Sequence, residues 1–193
     1  MPDVKHFDPA EVLTAVELIF WRQGVAATGM QDIVAATGLS RSSLYSSFGG
    51  KDDLYLAALQ RYLDRRSRPM FDGLAADGRG LPAIGEFFER LIRLRCSGDH
   101  ARWGCLVSNA HTEGPGEAAL AVLEQHHAGL RGAFAAALEV ADGKDQLRSG
   151  VDLDGTAEML VLLAYAVNLR SRSGVDPATL RTGVRAALQA LAG

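Results

Sequence analysis

Two short segments of helical pattern joined by a very short connection constrain this chain more than any other feature. Thr28 or Gly29 can cap a helix that runs through Ala36, with Met30, Ile33 and Val34 as its apolar face. Thr37-Gly38 reads as a stop, and Ser40 caps the next helix, over 40–47. The link Thr37-Gly38-Leu39-Ser40 leaves the two helices little choice but to pack on each other, which describes a helix-turn-helix. A longer helix precedes them. It opens on Asp8-Pro9-Ala10-Glu11, an N-cap acid with Pro at the first helical position, and carries Val12, Val16, Ile19 and Phe20 as far as Gly24.

The rest of the chain repeats the helical period. Lys51-Asp52-Asp53-Leu54 begins a pattern extending to about Ser67, where Pro69 and the glycines from Gly73 to Gly80 are expected to loosen or end it. Further helices are predicted over 81–97, 103–112, 117–141 and 154–173. A last one starts at Asp176-Pro177-Ala178, with the cap chemistry of the first, and reaches about Leu191. No segment reads as a β-hairpin. The expected fold is all-α with about nine helices, an N-terminal three-helix head over 1–50 and a helical body over 51–193. A composition of 48% hydrophobic but only 7% aromatic residues suits helices packed through Leu, Ala and Val.

In the second helix of the pair, Leu44 must point inward with Leu39, which fixes the outward side. Arg41 and Tyr45 then form one i, i+4 pair and Ser42 and Ser46 another, a polar face suited to a major groove. The whole chain has 20 Lys plus Arg against 23 Asp plus Glu, a net charge of -3, which argues against bulk attraction to nucleic acid. Locally the sign reverses. Between Gly38 and Lys51 stand two cations, Arg41 and Lys51, and no carboxylate. Lys51 also sits at a helix N-terminus, where free N–H groups and the dipole favour a phosphate.

The run Gly24, Thr28, Asp32-Ile33-Val34, Gly38-Leu39-Ser40, Leu44-Tyr45, Phe48, Lys51 and Leu54 resembles the signature of the TetR family of bacterial transcriptional regulators. The resemblance implies an N-terminal DNA-binding domain, a C-terminal helical domain for ligand binding and dimerisation, and release from a palindromic operator when a small molecule binds. By motif position it implies phosphate contacts from Tyr45, Lys51 and Thr28, and base-edge or nearby contacts from Arg41, Ser42 and Ser46. One position departs from the pattern. Gly29 stands where the family usually has Ser or Thr, so the hydroxyl that would cap the helix and meet a phosphate is missing; Gly is itself a tolerated N-cap, and Thr28 with Gln31 can supply an alternative capping box.

Between Thr156 and Leu169 only Thr156, Glu158 and Asn168 are not apolar, so this helix is either central to the body or shared with a second subunit. The resemblance favours a homodimer through 154–173 and 177–191. The segment from Glu117 carries Leu120, Leu123, His127, Leu130, Phe134 and Leu138 on one stripe, with His126 beside it. Phe88, Trp103, His111, His127 and Tyr165 are candidate lining residues of an interior ligand pocket. Gly104-Cys105-Leu106 followed by Asn109 and Glu113 resembles a segment of one TetR branch that includes regulators responsive to reactive electrophiles. Cys105 is therefore a candidate sensor thiol, against the alternative of a small buried hydrophobe.

Other classes find little support. Adjacent His126 and His127 diverge on a helix, and no His-Glu-x-x-His, Cys-x-x-Cys or glycine-rich phosphate loop stands in the chain, so neither a metal, a cofactor nor catalysis is expected. The rival to a regulator is a small all-α enzyme or ligand carrier. The longest apolar run, Met159 to Val167, is too short to cross a bilayer, so no membrane association and a cytoplasmic location are expected.

Overall fold

A computed structural model describes residues 7–114 and 116–193. The elements are α1 (Pro9–Gln23), α2 (Met30–Thr37), α3 (Arg41–Phe48), α4 (Lys51–Tyr62), a π turn (Leu63–Ser67), α5 (Arg68–Ala75), α6 (Leu81–Cys96), α7 (Leu106–Ala110), α8 (Glu117–Asp142), α9 (Leu153–Arg172) and α10 (Pro177–Gln189). Since α4, the π turn and α5 run on without a break, the described residues form nine helical bodies. Their one β feature is an isolated antiparallel bridge between Leu147 and Ala192.

Caps behave as their chemistry dictates. Asp8 Oδ1 accepts from the Ala10 N–H at 2.8 Å, and Asp176 Oδ1 from that of Ala178 at 2.9 Å, each with Pro at the start of the helix. Gly38 ends α2 in the left-handed region, φ 70°, which a side chain there would strain. Of the two caps the sequence allows for α2, the structure takes Gly29 and not the Thr28 and Gln31 pair. Gly29 is the N-cap, and its N–H donates to Asp32 Oδ2 at 2.7 Å.

The helical stretch that starts at Lys51 also differs from expectation. It does not stop at Ser67 but passes Pro69 and reaches Ala75. Proline lacks an N–H and its ring clashes with the carbonyl four residues back, a cost of about 3 kcal/mol in a regular helix. The π turn widens the ladder just before it, with the Arg68 N–H donating to the Leu63 carbonyl. The continuation buries Phe71 and Leu74, each worth about 1.5–3 kcal/mol, so burial wins. Conversely, the helix expected over 103–112 shrinks to α7, because Arg102 and Gly104 have φ of 66° and 72° and cannot be helical.

One continuous core runs from Val12 in α1 to Val184 in α10. Its head end gathers Val16, Phe20, Ile33, Leu44 and Leu54, with Phe20 edge-on to Tyr55 of α4 at 5.1 Å. Its body end stacks Phe88 on Phe134 at 5.6 Å, so Phe88 is a core residue of α6 facing α8. Trp21, at the end of α1, joins the two. Its Nε1–H donates to the Gly104 carbonyl at 3.1 Å, His100 stacks on it at 4.9 Å, and Trp103 and Tyr62 meet it edge-on. Below it the buried Glu17 carboxylate lies 2.9 Å from Arg66 Nε and 3.4 Å from Arg61 Nε, tying α1 to the α4 rod. The stripe of α8 is rotated from its expected setting. His126 is buried, while Leu120 and His127, seven residues apart on one line, lie outside the core.

Candidate nucleic-acid interface and sensing cavity

Leu44 is the one fully buried side chain of α3, and its burial orients the remainder of the helix. Arg41, Ser42, Tyr45 and Ser46 are all exposed, Tyr45 by 50%, and they share the outward side. Ser40 caps the helix through a bond from the Ser43 N–H at 3.1 Å, and its Oγ lies 2.9 Å from that of Ser42. The Ser46 hydroxyl donates to the Ser43 carbonyl at 3.2 Å. A planar guanidinium, a phenol and two hydroxyls thus project from one rigid helix whose far side is anchored in the core. This is the donor and acceptor set that reads base edges and phosphates.

Thr28 and Lys51 occupy a different place. Thr28 is buried, and its hydroxyl donates to the Gly24 carbonyl at 2.7 Å. Lys51 Nζ donates to the Val25 carbonyl at 2.8 Å and the Thr28 carbonyl at 3.0 Å. Both side chains therefore shape the turn between α1 and α2. An ammonium has three donors, so Lys51 keeps one beyond these two bonds.

The six residues expected around a ligand do not form one pocket. His111 and Tyr165, with ring centroids 5.5 Å apart, line an open cavity of about 280 Å³ between α7 and α9, together with Ser108, Asn109, Thr112, Ala166 and Leu169. Ser108 Oγ and Tyr165 OH are buried atoms with no protein partner. Burial, with His126 nearby, pushes the His111 imidazole below its ordinary value. Cys105 lies deeper, 2% exposed, against a void of about 20 Å³ shared with Arg95, His126 and Asn168. Phe88 belongs to the core, Trp103 to the clamp on Trp21, and His127 to a surface pair with Glu158 at 3.2 Å.

Arg95 explains the setting of Cys105. The guanidinium is buried, donates to Asn168 Oδ1 at 2.6 Å and Tyr62 OH at 3.0 Å, and forms no ion pair with a carboxylate among the described residues. A buried cation needs a counter-charge. Burial alone would push the thiol up, but His126, the Arg95 guanidinium and the Ser108 backbone bond together outweigh it and hold Cys105 down at about 5. The sequence marked Cys105, His111 and Tyr165 but not Ser108, Thr112 or Arg95. Ser108 and Thr112 take their places from where α7 begins, which two positive-φ residues decide, and Arg95 from the buried face of α6.

Fold and site together define a helix-turn-helix regulatory protein, with a reading helix on a small head and a cavity-bearing helical body. Residues 13–58 match the family described as bacterial regulatory proteins, tetR family. The chain is 30% identical over 154 residues, 79% of each protein, to the uncharacterized HTH-type transcriptional regulator YezE of Bacillus subtilis. It is 26% identical over 174 residues to the HTH-type transcriptional repressor ComR of Escherichia coli, covering 89% of this chain and 83% of ComR. Among solved structures, a cysteine mutant of the TetR family transcriptional regulator CifR, complexed with 26-bp double-strand operator DNA, has the same fold. The TM-score is 0.84 at 23% identity, over 98% of this chain and 99% of that one. The chain belongs to the tetR family of bacterial regulatory proteins. Among the described residues no helix is long and apolar enough to cross a membrane, and no group of His, Cys, Asp and Glu is arranged to hold a metal.

Proposed function

We propose that this chain is a ligand-responsive repressor that holds a palindromic operator as a homodimer and leaves it when a small molecule enters the C-terminal body. The observation that carries the reading is the outward face of α3, with Arg41, Ser42, Tyr45 and Ser46 exposed around a single buried anchor. That ComR is named a repressor and CifR is bound to operator DNA in its structure supports it. Arg41 is the reader of base edges, Ser42 and Ser46 contact bases or nearby backbone, and Tyr45 contacts phosphate. Lys51 offers its remaining donor to phosphate, and Thr28 acts chiefly through the turn it holds.

The division of labour is a DNA-binding head over 1–50 and a ligand-binding and dimerising body over 51–193. The effector occupies the cavity of His111 and Tyr165, within reach of the Cys105 layer, while Phe88, Trp103 and His127 hold the surrounding walls. No catalytic step is assigned to any residue, and the protein works in the cytoplasm.

The test is selection of duplexes from fragmented genomic DNA of the source organism. A palindromic site bound in a salt-dependent way is expected. Arg41→Ala should lose about 1–3 kcal/mol of discrimination at one base pair of each half-site, and Tyr45→Ala should weaken all sequences alike. Retention of no duplex, or both variants binding as wild type, overturns the reading. If Cys105→Ser leaves ligand- or oxidant-induced release unchanged, Cys105 is not the sensor.

A further inference from the structure

The motif Gly104-Cys105-Leu106, Asn109, Glu113 has roles in the structure that a ligand pocket alone does not use. A Cβ on Gly104 would lie 2.8 Å from Asn109 Oδ1, and Asn109 Nδ2 donates to the Trp103 carbonyl at 2.8 Å. Asn109 thereby locks the loop before α7 to α7 itself. The turn continues through Thr112 N–H to the Asn109 carbonyl and Glu113 N–H to the Ala110 carbonyl. Glu113 then leaves the body and reaches the head.

Its carboxylate Oε2 accepts the Val25 N–H at 2.7 Å. The Val25 carbonyl accepts from Lys51 Nζ at 2.8 Å, so both backbone groups of one residue in the α1–α2 turn are bonded to charges, one of each sign. Bonds to charged groups are worth more than neutral ones, about 1.5–3 kcal/mol each. Gly24, with φ 86°, is the residue that admits the carboxylate, since an added Cβ would collide with it. The turn so held sets the start of α2 and, through α2, the placement of α3.

The other side of the same segment is the cavity wall. Ser108, Asn109, His111 and Thr112 all line it, within five residues of Glu113, and Tyr165 of α9 lines it with them; Ser108 Oγ and Tyr165 OH are buried beside it without a protein partner. An occupant that presses on this wall acts on α7 and on the turn after it that carries Glu113. We infer that Glu113 is the positioning residue that couples the α7–α9 cavity to the DNA-reading head, holding the α1–α2 turn through Val25 in its operator-competent setting.

This inference rests on the regulator reading, and its test keeps the two apart. Hydrogen exchange of the Val25 amide is followed in the full chain beside affinity for the duplex that wild type selects from genomic DNA. Glu113→Ala should raise Val25 exchange and weaken the duplex, each by about tenfold, with thermal unfolding of the body unchanged. Glu113→Gln should recover most of the protection, because its amide oxygen accepts the same bond. Ser108→Phe fills the cavity in place of an effector. It should raise Val25 exchange in the wild-type background and add nothing to Glu113→Ala.

Unchanged Val25 protection in Glu113→Ala overturns the inference, as does lost protection without loss of duplex affinity. Ser108→Phe acting in full on Glu113→Ala, or not at all on wild type, overturns it too. If wild type selects no duplex, the regulator reading fails, while the Val25 exchange of the Ser108 and Glu113 variants still decides the coupling.

Discussion

Cys105 carries the sharpest chemistry in this molecule, and it does so through neighbours that belong to other helices. Against burial, His126 and Arg95 hold its thiol down at about 5 from an ordinary value of 9, which favours the thiolate in the folded state. Because its folded value lies below its unfolded one, the stability it contributes is complete above about pH 9 and is lost as pH falls through about 5. Thermal unfolding of wild type and Cys105→Ala from pH 9 to pH 5 should therefore show the wild-type advantage shrinking steadily, and a pH-independent difference would contradict the Arg95 and His126 setting. The sequence named the cysteine and left two roles for it. Only the fold shows that Arg95, from α6, and His126, from α8, share its void. Gly29 teaches a related lesson: the missing hydroxyl is legible in the sequence, but Asp32, not Gln31, supplies the reciprocal bond, since the cap falls at Gly29 rather than at Thr28.

At the scale of elements, α3 rests on little. Its surface is polar for function, and Leu44 alone is fully buried. Leu44→Ala should cost about 2–5 kcal/mol, and native-state hydrogen exchange should place the loss in α2 and α3 before the body. A uniform loss across the chain would mean that the head is not the weaker unit. Helix ends governed by side-chain caps were readable, as Asp8 and Asp176 show. Those governed by packing were not. Phe71 and Leu74 carry the α4 rod past Pro69, and α8 turns His126 inward in place of His127 because the nine other buried residues from Ala119 to Ala141 choose the buried line together.

For the whole molecule, α9 settles what the apolar run left open. Leu160, Val161, Ala164 and Val167 face the core, while Leu162 and Leu169 on the other side are 58% and 59% exposed, with Met159 and Ala166 beside them. The helix is not central; it offers a second apolar face at i, i+3 and i+7 spacing, the pattern of a helical interface. Leu162→Glu with Leu169→Glu should give a monomer by sedimentation at micromolar concentration with helical content retained, and lose at least about tenfold in duplex affinity, because one head alone grips a single half-site. A dimer that survives both changes would place the contact elsewhere. The net charge of -3 then limits such a protein to sites that α3 reads in detail.

The sequence by itself determined the helical class, the helix-turn-helix, the polar face of α3 and most helix starts, because periodicity, caps and short turns are local and act within a few residues. The tertiary structure decided what depends on distant partners. Trp21 reaches Gly104, Glu113 reaches Val25, and Arg95 and His126 meet Cys105. Each of these joins different elements of the fold, and burial fixes them only once all the helices have chosen their faces together.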